Sequence, residues 1–358
     1  MEKANLFRLK QCMERTEQGE RLTIGFLGGS ITQGSLATTE ENTYAYQVYS
    51  WWVNTFPNAE IHYVNGGIGG TTSHYGVARA VTDVLMYQPD VVVVDFSVND
   101  DANEFFMETY EGVVRKLLLW NSKPAVILLN NVFYDTGENA QQFHNQVGDW
   151  YGLPHVSIKD TVYEQIKKGI YTREELTPDG LHPNDKGHKL VAGEIIKFLE
   201  QVKGDMEHKE LEEQVKEPMT KNSYEHAKRL TIREISPKCN GFYADTNEKM
   251  GHLDHFKNGW IGKKAGDKIV FEIEAENIAI QYRKTIQRPA CIAKVILDKD
   301  EKNAIVLDSN FEEDWGDCLY LQPILHHGER KIHTIEIKLL SESSEEKTPF
   351  YLMSFIVA

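Results

Sequence analysis

The sequence of 358 residues predicts an α/β domain with a parallel sheet, followed by a smaller all-β domain. In residues 1–202, apolar strand-like runs alternate with helical stretches, a pattern typical of a parallel sheet with helices on both faces. In residues 223–358 the strands become short and alternate apolar with polar residues, which indicates an antiparallel, jelly-roll-like β-sandwich. Residues 203–222 are dense in charge and poor in apolar residues, so they are interpreted as a linker.

The order of the predicted elements supports this division. The clearest element is residues 91–94, four consecutive valines of the kind found in a strand buried on both faces. In the first domain the predicted strands are 23–27, 60–65, 90–96, 125–129 and 155–158, and the predicted helices are 4–17, 43–56, 75–87, 106–120, 139–151 and 186–202. In the second domain the predicted strands are 268–275, 278–282, 293–297, 331–337 and 350–357.

Composition limits the classes of partner and compartment. The formal net charge is −15, which argues against nucleic acid and anionic membranes as partners, because both attract basic surface. No stretch approaches the roughly 18 apolar residues of a membrane span. The four cysteines show no C-x-x-C spacing, so neither a zinc site nor a redox motif is indicated. Since the first residues lack a secretion signal, we expect a cytoplasmic protein, and a secreted form with its signal removed is the alternative.

A serine follows the first predicted strand. The run 23–27 breaks at two glycines, and Ser30 comes next. Ligand sites of open α/β folds lie at the carboxyl ends of the strands, so this hydroxyl is placed where a ligand binds. Taken alone, an ordinary Gly-Ser turn explains the segment equally well. The loops after two further strands carry Gly70 and Asn99, however, and both lie at the same edge of the predicted sheet.

A stretch far downstream holds the other groups that an activated serine requires. Asp179 and His182 are three residues apart on one loop, so the carboxylate can bind imidazole Nδ1 while Nε2 faces Ser30. The backbone N–H groups of Gly70 and Ser30 and the side-chain amide of Asn99 are candidate donors for an oxyanion hole. This chemistry requires neither a metal nor an organic cofactor.

These segments resemble the four sequence blocks of the SGNH (GDSL-like) hydrolases, in order and at similar spacing. The resemblance covers roughly residues 20–200 and implies a flavodoxin-like, three-layer α/β/α fold. It also implies the roles of the residues: a nucleophile, Ser30; oxyanion donors, Ser30, Gly70 and Asn99; and the remainder of a catalytic triad, Asp179 and His182. Two positions depart from the pattern. Gly29 stands where the name-giving motif has Asp, and Ser97 stands where the third block usually has Gly.

A Gly-Gly-Ser-Ile-Thr block followed by a β-sandwich is similar to bacterial carbohydrate esterases that remove acetyl groups from hemicellulose oligosaccharides such as mannan. The resemblance implies a serine esterase whose partner is an acetylated oligosaccharide, with a second domain that resembles a carbohydrate-binding module. Two alternatives stay open: a lysophospholipase or acyl thioesterase of the same family, and a carbohydrate-binding protein with a catalytically silent α/β domain. The sequence leaves the sugar and the oligomeric state open, and a homodimer is among the arrangements that it allows.

Some aromatic and histidine residues invite a functional interpretation. Trp315 lies in an acidic, turn-like loop, where an indole face flanked by carboxylates would suit a sugar ring. The simpler interpretation, a loop Trp folded back onto the sandwich, is the favoured one, and Trp260 is expected in the core. The histidine pairs 182/188 and 326/327 lack convergent ligands for a metal, so no metal site is predicted and partly exposed structural histidines are expected.

Overall fold

The computed structural model describes residues 4–313, 315–340 and 347–358. The chain forms two compact units, Met1–Glu225 and His226–Ala358. Below, they are called the first and the second domain. No helix among the described residues is both long enough and apolar enough to span a lipid bilayer.

Five parallel strands form the sheet of the first domain, in the spatial order β2-β1-β3-β4-β5. They are β1 (Leu22–Gly28), β2 (Ile61–Gly67), β3 (Val91–Asp95), β4 (Ala125–Asn130) and β5 (His155–Ser157). This order is that of the flavodoxin-like folds, so the predicted fold class is confirmed. β1, β3 and β4 are buried along their whole length, which explains why their sequences are continuous apolar runs.

Helices pack on the sheet of the first domain. They are α1 (Phe7–Glu17), α2 (Ser30–Gln33), α3 (Tyr44–Thr55), α4 (Ser73–Asp83), α5 (Glu104–Leu118), α6 (Gln141–Trp150), α7 (Glu164–Lys167), α8 (Arg173–Leu176) and α9 (Asp185–Gly204). One face of the sheet contributes Phe26 and Val93 to a core that Trp52 of α3 completes. The four-residue helices α2, α7 and α8 escape prediction because they are shorter than the window in which helical periodicity shows.

The segment 205–225 differs from the predicted linker, because it lies against the first domain and is anchored to α5. Glu111 is fully buried and accepts hydrogen bonds from the backbone N–H groups of Met219 (2.6 Å) and Thr220 (2.8 Å). Arg115 Nε forms an ion pair with Glu225 Oε2 at 2.6 Å. The predicted boundary at residue 202 therefore lies too early in the chain.

Antiparallel strands make up the second domain. They are β6 (Lys228–Leu230), β7 (Lys238–Asn240), β8 (Tyr243–Ala244), β9 (Trp260–Gly262), β10 (Lys268–Ala275), β11 (Ile278–Lys284), β12 (Ile292–Leu297), β13 (Ile305–Asp308), β14 (Cys318–Leu325), β15 (Lys331–Leu339) and β16 (Phe350–Val357). Two sheets, β13-β12-β15-β10-β7 and β14-β11-β16-β9-β8, share one apolar core, which confirms the predicted all-β domain. β14 was missed because it contains Pro323, a residue that sheets tolerate on edge strands such as this one.

Candidate active site

Ser30 lies at the point of the sheet where ligands of this fold bind. It begins α2 directly after β1, and β1 pairs with both β2 and β3. In the strand order 2-1-3-4-5 the connections of β1 and β3 diverge and leave a crevice at their carboxyl ends. The Ser30 side chain is nearly buried, with 7% exposure of the residue. The Ser30 hydroxyl therefore lies at the carboxyl end of β1, beside this crevice.

The structure brings Ser30, His182 and Asp179 together. His182 Nε2 lies 2.8 Å from Ser30 Oγ, and His182 Nδ1 lies 2.7 Å from Asp179 Oδ2. The carboxylate therefore favours the tautomer with a proton on Nδ1, which leaves Nε2 free to accept the Ser30 proton. This is the arrangement of nucleophile, general base and orienting carboxylate that acyl transfer requires.

Asp179 is held in its ionised form by its own loop. Its Oδ1 accepts hydrogen bonds from the backbone N–H groups of Leu181 (3.0 Å) and His182 (2.8 Å). Partial burial acts to raise the pKa of Asp179, but the hydrogen bonds from the His182 ring and from these N–H groups outweigh it and lower the pKa to about 2. Asp179 thus stays negative except in strong acid.

Two loops carry the predicted oxyanion donors to the same place. The Asn99 amide lies against Gly29, the residue before Ser30. The loop after β2 lies against Ser30 itself, since a Cβ added to Gly69 would contact Ser30 Cβ at 3.6 Å. Gly70 in that loop has φ +67°, a left-handed conformation that glycine adopts without strain. The loops that carry Asn99 and Gly70 therefore both lie beside the turn that carries Ser30.

Comparison with known proteins shows the family to which the chain belongs. Residues 26–190 match the GDSL-like Lipase/Acylhydrolase family. Two crystal structures of a two-domain esterase active on acetylated mannans, one of them co-crystallized with mannopentaose, are 48% identical to this chain. They cover 99% of this chain, which covers 95% of theirs, with TM-scores of 0.96 and 0.97. The chain belongs to the GDSL-like lipase/acylhydrolase family. It is accordingly a carboxylic ester hydrolase.

A further relative supports the same family. The acetylxylan esterase of Geobacillus stearothermophilus is 28% identical over 212 residues, which span 51% of this chain and 94% of that enzyme. The match is thus confined to about half of this hydrolase, whereas the two-domain esterase resembles it throughout.

Sequence reasoning missed several polar residues that support the site of this GDSL-like hydrolase. Gln33 Oε1 accepts the backbone N–H of Gly69 at 2.6 Å and so holds the loop that carries Gly70. Asp95, the last residue of β3, is buried and accepts hydrogen bonds from Thr32 Oγ1 (3.1 Å) and Asn131 Nδ2 (2.9 Å). An acidic residue that ends a run of four valines is a signal that could have been noticed.

Ser97 explains one departure from the family pattern. The residue is fully buried, and its Oγ donates to the carbonyl oxygen of Asn131 at 2.9 Å. Its own carbonyl oxygen accepts the N–H of Ala140 at 2.7 Å. The hydroxyl therefore ties the turn that carries Asn99 to the end of β4, a bond that glycine could not supply.

His188 is structural, as expected, but it is buried rather than partly exposed. Its Nδ1 accepts the backbone N–H of Tyr44 at 3.2 Å, and its Nε2 lies 3.1 Å from the carbonyl oxygen of Ser35. Burial lowers the pKa of His188, which favours the neutral ring with its proton on Nε2. The imidazole thereby joins α9 to the loop that follows the nucleophile.

In the second domain, Trp315 is exposed and Trp260 is in the core. The Trp315 residue is 56% exposed, and its ring contacts only the edge of Phe311 among the ring contacts of the described residues, with centroids 5.0 Å apart. The indole is therefore not covered by the sandwich, contrary to the simpler interpretation. Trp260 is 2% exposed, as predicted. Asp314 of the acidic loop lies outside the described residues.

Proposed function

We propose that this hydrolase is a serine esterase that removes acetyl groups from acetylated oligosaccharides of the mannan or hemicellulose type. The observation that carries the proposal is the 2.8 Å contact between Ser30 Oγ and His182 Nε2, in a chain 48% identical along its length to an esterase active on acetylated mannans. The candidate oxyanion donors, the backbone N–H groups of Ser30 and Gly70 and the amide of Asn99, support acyl transfer as the reaction.

The reaction proceeds in two halves through an acyl-enzyme. Ser30 Oγ attacks the acetyl carbonyl carbon while His182 Nε2 takes the hydroxyl proton, and the negative charge on the carbonyl oxygen is stabilised by N–H donors. Those donors are the backbone of Ser30 and Gly70 and the amide of Asn99. His182 then gives its proton to the sugar oxygen as the ester C–O bond breaks. His182 then takes a proton from water, which attacks the carbonyl carbon of acetyl-Ser30. As the bond to Ser30 Oγ breaks, His182 returns the proton to Oγ, and acetic acid leaves and ionises to acetate.

Replacement of the nucleophile tests this proposal. Ser30→Ala should lower kcat for 4-nitrophenyl acetate and for acetylated manno-oligosaccharides by roughly 10³-fold or more, with an unchanged circular dichroism spectrum. Ser122→Ala is the matched control. The Ser122 hydroxyl donates to the carbonyl oxygen of Pro89, and both residues precede the strands β4 and β3, at the end of the sheet opposite to Ser30. Release of acetate is monitored by mass spectrometry of the oligosaccharide. Undiminished release by Ser30→Ala would disprove the assignment of Ser30 as the nucleophile.

The acyl group can be tested separately from the sugar. An acetyl esterase should lose kcat/KM as the acyl chain of a 4-nitrophenyl ester lengthens beyond two or three carbons. A lysophospholipase or acyl thioesterase should instead gain from a longer chain, since each buried methylene contributes about 0.8 kcal/mol. A preference for chains of eight carbons or more would therefore contradict the acetyl specificity while leaving the serine mechanism intact.

Trp315 is proposed as a sugar-binding residue of a carbohydrate-binding second domain. The support is its 56% exposure, since an open indole face can stack on the C–H face of a sugar ring. Trp315→Ala should raise KM for acetylated oligosaccharides and leave 4-nitrophenyl acetate unaffected. Tyr243→Ala removes another exposed aromatic ring of the same domain and is the control. Equal KM values for both variants and the parent would rule out this role.

A cytoplasmic location and a homodimer remain predictions. The location is supported by free thiols: Cys12, Cys291 and Cys318 are buried and Cys239 is exposed. Cell fractionation with an antibody tests the location, and sedimentation equilibrium tests the dimer. Recovery of the native protein outside the cell, or a monomer at all concentrations, would refute the respective prediction.

A further inference from the structure

The first domain buries an arginine beside the two turns that carry Ser30 and Gly70. Arg79 lies on α4 and is 2% exposed. Burial of a guanidinium group is costly unless its donors are satisfied and its charge is paired. The partners that satisfy it are therefore informative about why it is there.

One partner is the last residue of β1. Arg79 Nη2 donates to the carbonyl oxygen of Gly28 at 2.8 Å, and the same oxygen accepts the backbone N–H of Ile68 at 3.1 Å. Gly28 precedes the Gly29-Ser30 turn by one residue. A shift of this carbonyl would move the backbone that presents the nucleophile and its N–H.

Two further acceptors lie on the segment that carries Gly70. Arg79 Nη1 donates to the carbonyl oxygen of Gly66, and Nη2 lies 3.2 Å from Oγ1 of Thr71, the residue after Gly70. Thr71 Oγ1 in turn donates to the carbonyl oxygen of Ile68 at 2.6 Å. A single planar group thus bonds to a backbone carbonyl before the loop and to a side-chain hydroxyl after it.

The Arg79 guanidinium is both buried and ion-paired. Among the described residues its carboxylate partner is Asp83, with Nη1 and Oδ2 2.9 Å apart, and its Nε makes no hydrogen bond. The guanidinium also lies 5.5 Å from the centroid of the Tyr75 ring. At a buried position, apolar residues of similar volume often stabilise the folded state more than an ion pair does. A role beyond stability is therefore the better account of an arginine here.

We propose that Arg79 is a positioning residue for catalysis, which fixes the nucleophile turn and the oxyanion loop relative to each other. This inference rests on the proposed function, because it assumes that Ser30 and Gly70 act in the same transition state. Lysine cannot replace the arginine, since one ammonium group cannot reach acceptors on two strands and a loop in the fixed geometry of a guanidinium fork.

The test compares turnover per competent site in Arg79→Lys and in a matched control. Arg115→Met is the control, because Arg115 is also a nearly buried arginine of this domain but pairs with Glu225 on the segment 205–225. Each protein is titrated to completion with a serine-reactive fluorophosphonate to count competent sites. Then kcat and KM for 4-nitrophenyl acetate are measured per titrated site.

Arg79→Lys should lower kcat per titrated site by about 10- to 100-fold and change KM by less than about threefold. Arg115→Met should lower the melting temperature and leave kcat per titrated site unchanged. Thr71→Val removes one acceptor and should lower kcat by a smaller factor, which keeps the inference testable if Arg79→Lys folds poorly.

Two outcomes would overturn the inference. One is a reduced number of competent sites with normal kcat per site in both Arg79→Lys and Thr71→Val, which is what a purely structural role predicts. The other is a raised KM at constant kcat. Failure of the proposed function is distinguishable, because it would appear as hydrolysis that persists in Ser30→Ala, whatever Arg79→Lys does.

Discussion

The side-chain amide of Asn99 occupies the space into which a side chain of Gly29 would project. A Cβ at residue 29 would lie 2.1 Å from Asn99 Oδ1 and 2.8 Å from its Cγ, distances that atoms in contact do not tolerate. The absence of a side chain at the position before the nucleophile therefore allows the amide to approach Ser30. This relationship gives the glycine at position 29 a structural role in this chain.

Gly29→Ala should therefore impair catalysis more than folding. Residue 29 has a negative φ of −87°, outside the left-handed region that favours glycine, so the main cost falls on the Asn99 amide, which must move aside. We expect kcat for 4-nitrophenyl acetate to fall by about 10- to 100-fold, as for a displaced oxyanion donor, with little change in melting temperature. Gly193→Ala is the control, because a Cβ there meets no atom within 4 Å. Parental kcat in Gly29→Ala would contradict the proposed part of Asn99 in the oxyanion hole.

Activity should fall at low pH through a single ionisation. His182 works as a base only when its ring is neutral, so kcat/KM should decrease as the ring takes up a proton. Asp179 adds no second ionisation there, because its pKa is lowered to about 2. The logarithm of kcat/KM plotted against pH should rise with a slope near one on the acid side. A limiting slope of two would show that a second group must also lose its proton.

The carboxylate of Asp179 can be removed without a change of shape. Asp179→Asn should lower kcat by about 10³- to 10⁴-fold, because the amide no longer favours a proton on His182 Nδ1. Asp185→Asn, at the start of α9, is the matched control and affects only bonds to Thr38 and Asn42. A similar loss in both variants would mean that general disturbance of this loop, rather than the tautomer of His182, determines activity.

Much of the first domain was predictable because local sequence and burial agree. The valines of β3 and the apolar runs of β1 and β4 lie in strands that are buried along their whole length, so the pattern leaves no alternative to a parallel sheet. The places of Ser30, Gly70 and Asn99 follow from it, since each lies on the loop after a parallel strand and these strands end at one edge. Strand order was available only through the resemblance to a family.

The supporting contacts were not predictable, because they join segments far apart in the chain. Nothing in the local sequence around Arg79 shows that its partners are the carbonyl groups of Gly28 and Gly66. The segment 205–225 was misinterpreted for the same reason, as its anchors are Glu111 and Arg115 on α5, about 100 residues earlier. Composition records how polar a segment is but not what it binds.

Asp100 connects the two loops that carry the oxyanion donors. Its Oδ1 accepts the backbone N–H of Ser73 at 2.8 Å, and its Oδ2 lies 3.1 Å from Nε2 of the fully buried His144. Asp100→Ala should lower the free energy of unfolding by about 2 to 4 kcal/mol, because it leaves buried polar groups without partners. Asp100→Asn should recover most of this loss, since its amide can still accept from Ser73 and donate to His144.

Denaturant unfolding of both Asp100 variants measures this difference, and kcat per titrated site measures its effect on the loops. We expect Asp100→Ala to lower kcat as well, because Asn99 is the neighbouring residue. Equal losses of unfolding free energy in the alanine and asparagine variants would show that the negative charge of Asp100, and not its hydrogen bonds, stabilises the loops.

Asp95 should make the protein less stable as the pH rises from acid to neutral. The residue is buried at the end of β3, and burial raises its pKa to about 7, although hydrogen bonds from Asn131 and Thr32 act in the opposite direction. In the unfolded chain the carboxyl group ionises near its ordinary pKa of 3.8. Between these values the unfolded state binds fewer protons than the folded state, so the free energy of unfolding must fall as the pH rises.

Asp95→Asn should abolish this slope. The amide oxygen can accept the same bonds from Thr32 and Asn131, and the variant carries no charge at any pH. Relative to the variant, the parent should lose on the order of 4 kcal/mol of unfolding free energy between about pH 4 and pH 7.5, measured in urea. Asp179→Asn is a control of opposite sign, because the pKa of Asp179 is lowered to about 2 in the folded protein. Its ionised carboxylate therefore stabilises the fold above the ordinary pKa of 3.8, and this stabilisation is lost as the pH falls towards 2. Parallel pH profiles of the parent and the Asp95→Asn variant would show that Asp95 is ionised in the folded protein throughout this range, with its charge stabilised by hydrogen bonds from Thr32 and Asn131.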